Sequence, residues 1–207
     1  MAQYPPNAIP REIVHSLLTV PESERQQREW YVDQILAAQE AICDFAEIHG
    51  WRDRMGHFWD QGVEIHASQD ELWRRICVVD GVPTSTPLPT SGLAAALEGR
   101  ILMAVTPQEY ERVQPGYAVG EGAYARLLAH EIAHRLHVAV LDGDEHAMGP
   151  RWFYEGFATV AAADLAEHGI ATREDIWDHV RADGRGAYAH FAAALRFLMR
   201  HVDLPVL

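Results

Sequence analysis

His130 and His134 stand four residues apart in the run His130-Glu131-Ile132-Ala133-His134. On a helix, that spacing puts both side chains on one face, about 6 Å apart, so two imidazoles can grip one zinc ion. Glu131 lies one position further, about 100° around the helix. From there its carboxylate can reach a metal-bound water without being a ligand. Zinc lowers such a water's pKa toward about 7, and a neighbouring carboxylate can then take the proton. Leu127, Leu128, Ile132, Leu136 and Ala139 make the rest of this stretch apolar. Imidazoles and a carboxylate are costly to bury among them unless something pairs them.

A hydrolytic zinc centre takes three protein ligands and leaves the fourth position to water. One source of a third ligand is a glycine turn leading to another histidine. It needs glycine at position 137 and histidine at position 140, where the chain has His137 and Val140. The other source is a glutamate on a second helix. Glu155 lies 21 residues after His134, in the run Trp152-Phe153-Tyr154-Glu155-Gly156-Phe157-Ala158. That leaves room for one helix to finish and another to return. Its apolar neighbours make Glu155 a charge in a hydrophobic helix, and a cation is a natural partner for it.

The pair His-Glu-x-x-His and Trp-x-x-Glu-Gly-x-Ala, over His130 to Ala158, resembles the gluzincins. The similarity is to the small peptidases with a thermolysin-like or aminopeptidase-like catalytic core. The resemblance implies a zincin-like fold, zinc on His130, His134 and Glu155, and Glu131 as general base and later proton shuttle. It also implies an upstream edge strand that aligns a peptide substrate, for which Ile101 to Val105 is the candidate. A Tyr or His on a later helix is implied as oxyanion donor. Gly184-Arg185-Gly186-Ala187-Tyr188-Ala189-His190 resembles that segment, with Tyr188 first and His190 as substitute. The chain departs from the family pattern at two places. Phe191 stands where glycine is usual. Thr159 stands where thermolysin-like members carry an Asp that supports a ligand histidine, and its hydroxyl offers a weaker acceptor for the imidazole N–H.

These residues need two converging helices and a sheet to hold them. A helical pattern over Ala123 to Val140 carries the first motif, and one over about Arg151 to His168 carries the second. Thr172 with Asp175 predicts a capped third helix to about Arg181, and a last spans about Ala187 to His201. Upstream, Val63, Ile65 and Ala67 alternate with polar residues as in a strand, and Ser68 with Glu71 predicts a capping box for a helix to about Val78. Two apolar runs, Leu93 to Leu97 and Ile101 to Val105, flank a tight turn at Glu98-Gly99-Arg100; helix remains an alternative for the alanine-rich first run. Trp30, Ile35, Ala38, Ile42 and Phe45 predict a long helix over Glu22 to His49. The fold class is therefore α+β: a small mixed sheet packed on the metal helix, then a mostly helical C-terminal part. Residues 1–60 read as a helical segment packed on a catalytic domain at 61–207.

The chain has 207 residues and a formal net charge of −13. An acidic surface argues against nucleic acid and anionic membranes as partners, and a peptide or protein substrate is expected. The N-terminus lacks the pattern of a signal peptide. The two cysteines, Cys43 and Cys77, make no disulfide framework, so a cytoplasmic location is expected. Two rival functions use the same residues: a zinc amidohydrolase acting on non-peptide amides, and a catalytically inactive zincin-fold binding or regulatory protein. His137 is expected at the site margin or at an exposed cap. The polar loop Asp142, Asp144, Glu145, His146 is a lesser candidate for a second metal.

Overall fold

The computed structural model describes residues 9–89, 92–165, 169–183 and 186–204. Within them runs α1 (Arg11–Leu17), β1 (Leu18–Thr19), α2 (Arg28–Ile48), β2 (Gly62–His66), α3 (Gln69–Val79), β3 (Ala95–Glu98) and β4 (Ile101–Val105). Then follow α4 (Pro107–Val113), α5 (Ala123–Val140), α6 (Arg151–Ala161), α7 (Ile176–Val180) and α8 (Ala187–Met199). The molecule is α+β with a small mixed sheet, in the order β1-β2-β4-β3. The first three of these strands are mutually parallel, and β3 runs antiparallel to β4.

The hairpin is made by its turn. Gly99 and Arg100 both adopt positive φ, 55° and 63°, the backbone of a type I′ turn whose twist matches the strands it joins. A β-carbon on Gly99 would also stand 2.6 Å from the Val79 side chain. The alanine-rich run is thus a strand. The hairpin also fixes the strand order, and this overturns one expectation. Ile101–Val105 is interior, hydrogen-bonded on both sides, and cannot accept a substrate strand. The edge is β3.

Several helix boundaries also move. The pattern from Glu22 opens as a 3-10 segment, Glu22–Gln27, and becomes α-helical only at Arg28. The second motif helix ends at Ala161, because Ala163 and Leu165 take positive φ and turn the chain back. The Thr172–Asp175 box forms, with the Asp175 carboxylate accepting from the Thr172 N–H at 2.6 Å, but α7 starts only at Ile176. At α3 both halves of the box are present. Ser68 accepts from the Glu71 N–H at 3.3 Å, and the Glu71 carboxylate reaches back to the Ala67 N–H at 3.1 Å.

Helix α5 is the hub. It packs on α2, α6 and β3, and α6 packs in turn on α8. Ile132, Leu136 and Leu128 are fully buried on its inner face. Its start is pinned to the sheet, where the Tyr124 hydroxyl donates to the Val105 carbonyl at 2.6 Å. Tyr124 also packs edge-on against Tyr31 of α2, ring centroids 5.7 Å apart. The far end is held by the ion pair of Arg54 with Asp142. Among the described residues no helix is long and apolar enough to cross a membrane.

Candidate metal centre

One turn of α5 separates His130 from His134, and their Nε2 atoms stand 3.2 Å apart. From α6, Glu155 brings Oε2 to 3.2 Å from the Nε2 of His130 and 3.5 Å from that of His134. Among the described residues this is the only group of three or more His, Cys, Asp or Glu side chains with ligand atoms so close together. All three side chains are less than a fifth exposed. Burial pushes the Glu155 carboxyl upward, but hydrogen bonds from the two imidazoles outweigh it and bring its pKa down to about 2. Burial alone would depress His130, and the bond to Glu155 turns that shift upward. The carboxylate is therefore charged, and its neighbours favour positive charge between them.

The donor set fits a divalent cation. Two ligand atoms on a tetrahedral ion, each about 2.0–2.1 Å from it, lie about 3.3 Å from one another. The three observed separations bracket that value. A single cation would satisfy all three donors, whereas hydrogen bonds alone leave two imidazole nitrogens competing for one carboxylate oxygen.

Glu131 lines cavities on both flanks of this centre. The smaller, about 120 Å³, is walled by Leu93, Ala95, Tyr117, His130 and Tyr188. The larger, about 420 Å³, is walled by Leu97, Glu98, His134, Met148 and Tyr154. Both run along β3, so the cleft lies between β3 and α5 and not beside Ile101–Val105. Tyr188 sits in the first cavity, its ring 5.7 Å from the His130 ring and perpendicular to it. Burial and the charges of Glu155 and Glu131 raise the pKa of its phenol, so the hydroxyl stays a donor. The nearby Arg151 guanidinium opposes that rise without reversing it.

His190 is not brought to the centre. It is exposed and faces His179 of α7, with Nδ1 atoms 3.1 Å apart. Thr159 does not serve a ligand imidazole either; its hydroxyl donates to the Glu155 carbonyl at 2.8 Å. His137 is neither marginal nor exposed. It is 4% exposed and stacks on Phe157 with ring centroids 4.4 Å apart. In the polar loop, Asp142 pairs with Arg54, Glu145 with Arg135, and Asp144 accepts from the His146 N–H. No metal-ligand trio forms there among the described residues.

Two participants escaped the sequence reading. Arg151 stands one turn before Glu155 on α6, and that i, i+4 spacing was the available signal. Asp164 reaches the wall of the smaller cavity because α6 stops early. There it pairs with Arg126 at 3.3 Å and adds negative charge near His130. No periodicity foretells a chain reversal of that kind. Compared with known proteins, the chain matches no family model, no curated protein and no solved structure.

Proposed function

We propose that this chain is a zinc-dependent hydrolase that cleaves peptide bonds, with a zincin-like arrangement of a mixed sheet on the metal helix. The observation that carries the reading is the convergence of the His130, His134 and Glu155 donor atoms beside Glu131, in a cleft bounded by a sheet edge. Zinc is favoured because two imidazoles and one carboxylate with a fourth position left to water is the usual ligand count of a hydrolytic zinc site. When bound, zinc supplies Lewis acidity and lowers the pKa of a water toward about 7.

The remaining steps belong to the chain. Among the described residues, backbone groups of β3 on the side away from β4 have no strand partner, and they can pair with an extended peptide. Glu131 accepts the proton of the attacking water and returns it to the leaving amine nitrogen. Tyr188 donates its hydroxyl hydrogen to the oxygen that becomes negative as the carbonyl carbon turns tetrahedral. The sheet edge favours a peptide over a small amide, because it offers a row of backbone partners that a small molecule does not need.

The test pairs metal analysis with a chelator-reversible peptidase assay. Wild type should hold a zinc ion sensitive to His134→Ala, and chelation should abolish cleavage that zinc restores. Glu131→Gln should keep that zinc and lose activity by at least about a hundredfold, the usual scale for general acid–base catalysis. Unchanged turnover in Glu131→Gln would remove the mechanism, and full zinc at this centre in His134→Ala would refute the ligand set.

A further inference from the structure

His179 and His190 lie apart from the centre above, yet their spacing matches that of its two histidines. They project from α7 and α8, and these helices pack on each other. Their rings are 4.9 Å apart and tilted by 52°, with the two Nδ1 atoms 3.1 Å apart. The gap between the Nε2 atoms of His130 and His134 is 3.2 Å. Two nitrogens about 2.05 Å from one ion are separated by about 2.9 Å at a right angle and about 3.3 Å at the tetrahedral angle. The observed gap lies between them.

The far side of His179 faces a carboxylate. Its Nε2 stands 3.7 Å from the Asp175 Oδ1, and that carboxylate is itself anchored by the Thr172 N–H. A carboxylate there favours the proton on Nε2 and leaves the Nδ1 lone pair turned toward His190. In metal sites a carboxylate behind an imidazole orients the ligand by a hydrogen bond; here the carboxylate stands just beyond that reach and acts through its charge. His190 is exposed, so an ion can reach the pair from solvent with its water shell partly intact.

We propose that His179 and His190 form a second transition-metal site, a two-imidazole clamp joining α7 to α8. It takes a divalent cation of the imidazole-preferring class, Cu2+, Ni2+ or Zn2+, with water filling the other positions. Cu2+ binds tightest of the three, following the general order of affinities for such ligands. An ion held here ties α7 to the first turn of α8, the turn that carries Tyr188.

The experiment is equilibrium dialysis of the full chain against Zn2+ alone and against Cu2+ alone, with bound metal counted by mass spectrometry. Wild type should take two ions per chain. His179→Gln and His190→Gln should each take one, with affinity for the second weakened at least tenfold. His134→Ala should retain the ion at the clamp. For Cu2+, the spectrum of the clamp ion should show nitrogen coordination that disappears in His190→Gln. If the first centre binds nothing, wild type takes a single ion that His190→Gln removes and His134→Ala does not. That outcome would sustain the clamp while the hydrolase reading fails. Uptake in His179→Gln and His190→Gln equal to wild type, with both metals, would overturn it.

Discussion

Tyr188 and His190 are two positions apart on one helix, and two positions are about 200° of rotation. One of them faces the metal centre and the other must face away. The sequence motif names both, because the spacing does not reveal which face of α8 meets α5. The structure puts Tyr188 beside His130 and turns His190 to α7. The metal trio was more legible. Two histidines four apart on an apolar helix, and one carboxylate in another apolar helix, have few ways to be buried without a shared partner. Tyr188→Phe removes a single hydroxyl and keeps the ring. The expected result is a fall in kcat of about 10²–10³, the scale for one lost oxyanion donor, with KM nearly unchanged and zinc retained. Steady-state kinetics on a peptide cleaved by wild type would check it; kcat within twofold of wild type would exclude Tyr188 as the donor.

Helices α6 and α8 pack closely against each other. A β-carbon on Gly156 would stand 2.8 Å from the Phe191 carbonyl oxygen and 3.1 Å from its carbon. The glycine next to Glu155, the proposed third ligand, is thus there for space. In an exposed helix, Gly→Ala stabilises by up to about 1 kcal/mol. Here the obstacle is backbone, which cannot swing aside as a flexible side chain does, so the clash wins at about 1–3 kcal/mol. Gly156→Ala should lower Tm by roughly 3–10 °C and weaken zinc binding at least tenfold, because α6 must shift and carries Glu155 with it. Calorimetry and metal titration read the two effects; a variant as stable as wild type would show that the contact yields easily. Strand order was the least legible feature at this scale. Ala95–Leu97 and Leu102–Val105 are both buried, because α5 covers β3. The edge strand therefore lacks the polar alternation that marks an exposed one.

Across the whole molecule, the N-terminal segment is woven into the rest. Leu18–Thr19 adds a strand beside β2, and α2 packs on α5. Cooperative unfolding is the expectation, and one buried group sets part of its pH dependence. His137, in the last turn of α5, stacks on Phe157, and burial followed by the nearby His134 lowers its pKa to about 4. The unfolded chain takes up this proton near pH 6.5, and the native state resists until about pH 4. The neutral imidazole therefore contributes stability in full above about pH 6.5, and that contribution is lost as pH falls toward 4. Urea midpoints measured between pH 7 and 4 should drop, and should drop less in His137→Phe. Parallel slopes in the two proteins would assign the acid sensitivity to other groups.

Glu131 borders cavities on either hand along β3, so the proposed reading gives a bound chain room on both sides of the reacting carbonyl. On the proposed reading, selection then acts on residues both before and after the scissile bond. The same reading expects fragments released from within a polypeptide, rather than single amino acids trimmed from its tip.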